Sequence, residues 1–94
     1  MMNLNQLSDL ASNKGFRRNT GARVIYEDNG SISKVYDFEH RKKLDMFSIF
    51  VDEWGAVKYA EYTKVDFDRE AGRFKQNVVR LDNDGLVRKY LGSL

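Results

Sequence analysis

The 94-residue sequence contains no cysteine and one histidine, His40. The absence of cysteine excludes disulfides, thiolate catalysis and every cysteine-based zinc or iron–sulfur site. With one histidine, the chain could hold a metal only through carboxylates, and no calcium-loop pattern is present, so we expect neither metal nor cofactor. His40 has no serine or aspartate partner at a recognisable catalytic spacing, and we expect it to be an ordinary surface residue.

Long apolar runs are also absent. None approaches the ~20 residues of a membrane-spanning helix, and the N-terminal residues lack the basic-then-apolar plan of a signal peptide. We therefore expect a cytoplasmic protein. The seven glycines stand singly, so that no Gly-rich phosphate loop is formed, and no nucleophile elbow or kinase motif occurs. These absences argue against an enzyme.

Length and charge set further limits. A chain of this size buries about 60–65% of its unfolded surface, which predicts a single small domain with one core and little room for a deep active site. Residues 1–43 carry 8 Lys and Arg against 5 Asp and Glu, a net charge of +3, and residues 44–94 carry 8 against 9, a net charge of −1. The asymmetry permits an anionic partner without requiring one.

The central stretch, residues 44–63, predicts a β-hairpin with a three-residue loop at its tip. The apolar residues of its first arm are Leu44, Met46, Phe47, Ile49, Phe50 and Val51. The loop places Val51 opposite Val57 and, two residues further, Ile49 opposite Tyr59. Because side chains alternate along a strand, both faces of this hairpin are apolar, and one helix cannot cover both. We therefore expect a homodimer.

A second hairpin is predicted around Asn29-Gly30, since this dipeptide between β-rich runs favours a two-residue type I′ turn. The polar run of residues 38–43 is then a connecting loop. Residues 64–81 leave two alternatives open. Their apolar residues recur at helical spacing, yet Gly72 suits the left-handed position of a four-residue hairpin loop that places Phe67 opposite Phe74. Gly72 in a helix interior would cost about 1 kcal/mol, and we favour the hairpin.

An N-terminal helix is predicted from Leu4 to Lys14. Asn3 and Gln6 have the spacing of a capping box, and Gly15 follows as a stop. A short C-terminal helix is predicted with Asp84 as its N-cap, followed by an apolar stripe that ends at a glycine stop, Gly92. An edge strand entered through a turn at residues 83–85 is the alternative. The predicted fold is α+β: an N-terminal helix packed on an antiparallel meander of four to six strands, with a short C-terminal helix.

For function, the sequence favours a non-catalytic protein-binding module, such as a small inhibitor or accessory protein that occupies a partner. Small phage- or plasmid-encoded inhibitors have this site-free composition. Twelve aromatic residues are more than one small core requires, and tryptophan and tyrosine are enriched at interface centres. The candidate protein-binding residues are Trp54, Tyr36, Tyr59 and Tyr62. Trp54 lies at the predicted hairpin tip, and we expect it to be exposed.

The alternative is nucleic-acid binding. Two basic segments carry it, and their residues are Lys14, Arg17, Arg18, Arg23, Arg41, Lys42 and Lys43. Aromatic side chains of the sheet would be available for stacking on bases. Against this alternative, the overall net charge is only +2 and no RNP-like Lys/Arg-Gly-Phe pattern occurs.

Overall fold

A computed structural model describes residues 1–92 of the chain. Its elements are α1 (Leu4–Asn13), β1 (Phe16–Arg18), β2 (Arg23–Tyr26), β3 (Ile32–His40), β4 (Met46–Val51), β5 (Val57–Asp68), β6 (Arg73–Leu81) and α2 (Asp84–Gly92). All six strands form one antiparallel sheet. The predicted α+β fold with two helices is confirmed.

The sheet is a meander in which β3, β4, β5 and β6 are neighbours in chain order. The first position is shared by β1 and β2, which both pair with the same side of β3. β2 pairs with the start of β3, through Tyr26 and Ile32, whereas β1 pairs with its end, through Phe16 and His40. One edge of the sheet is therefore two short strands, and the other edge is the nine-residue strand β6.

Both helices pack on the same face of the sheet, which we call the helix face. The core lies between this face and the two helices. Its buried residues are Leu7, Ala11, Phe16, Phe38, Phe47, Ile49, Val51, Ala60, Tyr62, Leu81, Val87 and Leu91. In each helix the two buried residues are four positions apart, as residues of one helical stripe are: Leu7 and Ala11 in α1, and Val87 and Leu91 in α2. The opposite face, which we call the open face, carries no helix within residues 1–92.

The register of β4 and β5 departs from the prediction. Val51 pairs with Val57 as expected, but the next pair is Phe50 with Tyr59, because Lys58 is an extra residue in a β-bulge. Ile49 therefore pairs with Ala60, and the predicted Ile49–Tyr59 pair is wrong. The bulge moves Tyr59 to the open face while Val57 packs against the core. A slip of one residue reverses which side chains face inward.

The Asn29-Gly30 hairpin is present, with a different turn. Glu27 and Ser31 are joined by a backbone hydrogen bond of 2.8 Å, which leaves residues 28–30 as a three-residue loop. Gly30 has a φ of +83°, and none of the non-glycine residues described has a positive φ, so the predicted type I′ turn is wrong. A type I turn followed by a left-handed glycine needs only one residue of positive φ.

Residues 64–81 form the hairpin and not the helix. β5 and β6 pair without interruption from Ala60–Leu81 to Asp68–Arg73, and Phe67 lies opposite Phe74 as predicted. Gly72 has a φ of +66°, the left-handed conformation that the hairpin loop requires. Residues 69–72 are therefore the predicted four-residue loop.

Helix termini follow the local sequence with small shifts. Asn3 and Gln6 form the predicted capping box. In α2 the N-cap is Asn83, whose Oδ1 accepts a 2.9 Å hydrogen bond from the backbone N of Leu86, so the prediction of Asp84 is wrong by one residue. Gly92 is the last residue of α2 and not a stop beyond it.

The predicted connecting loop at residues 38–43 starts too early, because β3 continues to His40. The predicted apolar residue Leu44 precedes β4 and is 59% exposed. The first arm of the central hairpin therefore begins at Met46. Its open-face residues are Met46, Ser48 and Phe50, which makes that face more polar than the sequence pattern indicated.

Candidate binding surface of the β5–β6 hairpin

The β5–β6 hairpin extends past the rest of the sheet. β4 ends its pairing with β5 at Met46–Thr63, whereas β5 and β6 continue together to Asp68–Arg73. Residues 63–78, which we call the ribbon, begin at the last pair shared with β4 and continue beyond it as two strands alone. A two-stranded ribbon buries little surface by itself, so its side chains remain open to solvent or to a partner.

One side of the ribbon, which we call its apolar side, lies on the open face and carries four apolar residues beside Thr63 and Gln76. Phe67 is 54% exposed, Phe74 59% and Val78 52%, and Val65 lies between them. The rings of Phe67 and Phe74 are 5.1 Å apart at an interplanar angle of 63°. Edge-to-face contact orients the two rings relative to each other while leaving more than half of each side chain exposed. Large apolar side chains in such a cluster mark interaction surfaces.

The other side of the ribbon is polar throughout. Its residues are Lys64, Asp66, Asp68, Arg73, Lys75 and Asn77. Lys75 Nζ lies 3.0 Å from Asp68 Oδ2, and this contact lowers the pKa of Asp68, helped by hydrogen bonds that Asp68 accepts from the backbone N of Ala71 and Glu70. The ribbon is thus amphipathic, with its charges directed away from its apolar side.

Elsewhere on the open face, which has no covering helix, the buried polar side chains form hydrogen-bonded networks with one another. Arg23 donates two hydrogen bonds to Asp37, of 2.5 and 2.9 Å, and Ser48 donates a third of 2.6 Å. Burial raises the pKa of Asp37, but the hydrogen bonds from Arg23 and Ser48 outweigh it, and the net shift is downward. The same contact raises the pKa of Arg23. A buried carboxylate with three donors is satisfied without further chain.

The bulge residue Lys58 forms a second network on this face. Its Nζ lies 2.9 Å from Ser33 Oγ and 3.7 Å from Glu27 Oε1, and Ser33 in turn donates to Glu27. Ser33 is fully buried beneath them. Beside this network, Phe50 stacks on Tyr59 at 4.4 Å. Phe50 is only 5% exposed, so this apolar part of the open face is largely covered within one chain, and the homodimer expected from it stays a prediction.

The predicted aromatic binding residues do not form one patch. Trp54 is 84% exposed at the tip of the β4–β5 hairpin, where its backbone N donates to Asp52 Oδ1. Tyr36 is half-buried on the helix face, and Tyr59 lies on the open face. Tyr62 is only 4% exposed and belongs to the core. We therefore leave Tyr62 out of any binding surface.

The basic residues divide into two groups. Arg23 is bound to Asp37, and the guanidinium of Arg18 lies 4.5 Å from the ring centroid of Tyr36, so these two side chains already have partners. The other five are brought together at one end of the sheet, which we call the basic end: Lys14, Arg17, Arg41, Lys42 and Lys43. The two basic segments are held together there by the pairing of Phe16 with His40 and by a 2.9 Å hydrogen bond from the backbone N of Arg41 to Gly15 O. In the part of the chain described, the ion pairs use other cations than these five.

His40 connects the two basic segments at this end of the sheet through hydrogen bonds of its ring. Its Nε2 lies 3.1 Å from Lys14 O, and its Nδ1 accepts hydrogen bonds of 3.1 Å from the backbone N of both Lys42 and Lys43. Since Nδ1 accepts, Nε2 carries the proton and donates to Lys14 O. The ring also meets Phe16 edge-on at 5.0 Å. His40 is therefore a structural residue, and the expectation of an ordinary surface histidine is wrong.

A cleft of about 320 Å³ lies on the helix face where the ribbon leaves the sheet. Lys43 and Lys64 line it, together with the buried Asp45 and with Tyr62 and Tyr90. Asp45 already accepts hydrogen bonds from the hydroxyl of Tyr62 and from the backbone N of Val65. Because the cleft holds charges of both signs and its carboxylate is satisfied, we assign no ligand to it.

No family model, curated protein or solved structure matches this chain. Among residues 1–92, no three His, Asp or Glu side chains lie together in a group that could hold a metal ion. None of the helices described is long and apolar enough to cross a membrane. What the chain binds has to be inferred from the chemistry of its surface.

Sequence reasoning missed the apolar side of the ribbon as a candidate surface, although the information was present. In the hairpin register, Val65, Phe67, Phe74 and Val78 all fall on one side and six polar residues fall on the other. Phe67, Phe74 and Val78 also belong to the helical stripe of the alternative interpretation, in which they would have been buried. Only the choice of hairpin over helix turns this apolar stripe into an exposed surface.

Proposed function

We propose that the protein is a non-catalytic protein-binding module, a small inhibitor or accessory protein, and that the apolar side of the ribbon is its contact surface. The observation that carries the proposal is the pair Phe67 and Phe74, more than half exposed and in edge-to-face contact. Paired aromatic side chains supply large contact areas with few rotatable bonds. A cytoplasmic location suits this role, because the chain needs no disulfide to fold.

The position of the ribbon supports this role. It projects beyond β4, so that its apolar side meets a partner without obstruction from the rest of the sheet. Its other side carries the ion pair of Asp68 and Lys75. These charges keep that side of the hairpin in water while Phe67 and Phe74 stay on the surface of the apolar side. Trp54 lies at the tip of a different hairpin, and the proposal does not require it.

The test is quantitative affinity purification of the tagged protein from its native host, with mass spectrometry, for wild type, Phe67→Ser and Tyr26→Ser. Tyr26 is 79% exposed on β2 and serves as the matched control for loss of an exposed aromatic ring. We expect proteins retained by wild type and by Tyr26→Ser to be lost from Phe67→Ser. Truncation of a central aromatic contact weakens binding by about 2 kcal/mol or more, roughly 30-fold.

Circular dichroism of each variant checks that the fold is kept. Equal recovery of the same proteins by all three variants would reject the ribbon as the contact surface. Retention that disappears after nuclease treatment would reject a protein partner and favour nucleic acid.

Nucleic-acid binding is the second candidate, and the convergence of two basic segments at the basic end favours it. If this end contacts phosphates, each contact contributes about one unit to the slope of log affinity against log salt. Changing Lys42 and Lys43 together to Ala should then reduce that slope by about two. Arg69→Ala on the ribbon loop is the control. Absence of binding to single- and double-stranded DNA and RNA at low salt would remove this candidate.

A further inference from the structure

The two edges of the sheet differ in their capacity to accept another strand. On the first edge, β1 and β2 have three and four residues and are separated by a loop containing Gly21, with a φ of +80°. On the second edge, β6 has nine residues, no proline and no bulge against β5. Within the described chain no strand pairs with the outer side of β6. A long, regular, unpaired edge is a template for a further strand.

The sequence of β6 fits a second copy of itself. In an antiparallel pairing centred on Gln76, each Phe74 lies opposite Val78 of the second copy, and each Lys75 lies opposite Asn77. Arg73 then lies opposite Val79. No like charges face each other directly in this register, although β6 carries three cations and no acid. Each Lys75 is also neutralised within its own copy by Asp68, at 3.0 Å.

We propose that two copies of this chain join edge to edge through β6, in antiparallel register about Gln76, to form one continuous sheet. Pairing of residues 73–79 of both strands adds about six to eight backbone hydrogen bonds. Since directly paired residues share a face, Phe74 and Val78 of both copies lie on the open face of the joint sheet. A twofold interface of this kind closes on itself, so that assembly stops at the dimer.

The β6–β6 interface, which we call the joint, also extends the contact surface proposed above. This part of the inference rests on the proposed function. Gln76 of both copies lies at the twofold axis on this face, and on each side of the axis Phe67 and Phe74 of one copy form a continuous apolar row with Val78 of the other. The helix α2 follows Leu81, at the end of β6 that meets the hairpin tip of the second copy. The two α2 helices therefore lie at opposite ends of the joint and do not obstruct it.

The first experiment uses charge at the centre of the register. In sedimentation equilibrium we expect the wild type to be a dimer at tens of micromolar. Gln76→Lys and Gln76→Glu each place like charges directly opposite across the axis, and each should be monomeric alone. An equimolar mixture of the two places Lys opposite Glu and should restore the dimer. Gln76 is exposed, so that neither change disturbs the isolated fold.

The second experiment uses the absence of cysteine, which makes a single introduced thiol unambiguous. Directly opposed residues of an antiparallel pair have Cα atoms about 4.5–5.5 Å apart, within the range of a disulfide. Gln76→Cys should therefore form a disulfide dimer under mild oxidation. Val24→Cys, 54% exposed on the opposite edge of the sheet, is the matched control and should cross-link only at the rate of random collision.

A wild-type chain that sediments at 11.0 kDa throughout this range overturns the inference, as does a Gln76→Cys variant that cross-links no faster than Val24→Cys. A dimer unaffected by either charge at position 76 also overturns it, because that dimer would use another surface. Phe67 lies on β5, outside the joint, so that Phe67→Ser tests the proposed function independently. Loss of partner capture by Phe67→Ser, with a monomeric wild type, would keep the function and reject the dimer.

Discussion

The hydroxyl of Tyr62 donates a 2.5 Å hydrogen bond to Oδ2 of Asp45, and both residues are at least nineteen-twentieths buried. The other carboxylate oxygen accepts a 3.2 Å hydrogen bond from the backbone N of Val65. Asp45 precedes β4 and Tyr62 lies in the middle of β5, so that the contact fastens the loop after β3 to the sheet. Burial raises the pKa of Tyr62, and the hydrogen bond and negative charge of Asp45 raise it further.

We predict that Tyr62→Phe lowers the free energy of unfolding by about 1–3 kcal/mol, because it leaves a buried carboxylate oxygen without its donor. The raised pKa of Tyr62 means that its contribution is complete below about pH 10, the value of an unfolded tyrosine, and is lost as the pH rises above it. Urea unfolding across this alkaline range measures both effects. Tyr26→Phe, at an exposed tyrosine, is the control and should change neither, and equal behaviour of the two variants would contradict the prediction.

Much of the fold could be predicted from the sequence, because local rules decide it. The capping box of α1 depends on Asn3 and Gln6, which are three residues apart. The β5–β6 hairpin depends on Gly72 and on the pairing of Phe67 with Phe74, which are seven residues apart. Each of these features is fixed by residues close in the chain.

The features that could not be predicted depend on residues that meet only after folding. The bulge at Lys58 is stabilised by Ser33 and Glu27, from a different hairpin. The role of His40 depends on Lys14 O, contributed by a helix end 26 residues earlier. Such contacts leave no spacing pattern in the sequence. The sequence-based prediction therefore put Tyr59 on the wrong face of the sheet and described His40 as an ordinary surface residue.

We predict that Asp37→Asn destabilises the protein by about 1–3 kcal/mol at neutral pH, since the charged hydrogen bonds from Arg23 and Ser48 are weakened or lost. The pKa of Asp37 is lowered in the folded state, so that its contribution is complete above about pH 4, the value of an unfolded aspartate, and disappears as the pH falls through the folded value. The difference between wild type and variant should therefore shrink in acid. Thermal unfolding from neutral to acidic pH measures it, with Asp28→Asn in the exposed turn as the control. A constant difference down to strong acid would contradict the assignment.

Gly15 and His40 provide a test of close packing. Gly15 has a φ of +93°, and a Cβ placed on it would lie 2.9 Å from His40 Nε2. Gly30 has a similar φ of +83° with open space around it. We predict that Gly30→Ala costs about 1–2 kcal/mol, the price of the left-handed conformation alone, and that Gly15→Ala costs more. Adding His40→Ala to Gly15→Ala should cost less than His40→Ala costs in the wild type, because the clash is relieved. Equal costs of the two glycine substitutions in chemical denaturation would show that the ring yields freely.

Trp54 is the only tryptophan, and its 84% exposure makes its emission a direct report on one surface site. The residue sits in a three-residue loop whose backbone is held by Asp52, which accepts hydrogen bonds of 2.9 Å from the backbone N of Trp54 and of Ala56. The loop is thus fixed while the indole is free of the core. We predict red-shifted emission that iodide quenches readily, and a Trp54→Ser variant whose stability lies within about 0.5 kcal/mol of wild type. Asp52→Ala, in contrast, should cost about 1 kcal/mol, because both backbone donors lose their acceptor. Blue-shifted emission resistant to iodide in the isolated protein would show that the indole folds back over the hairpin, and the exposed position would then be rejected.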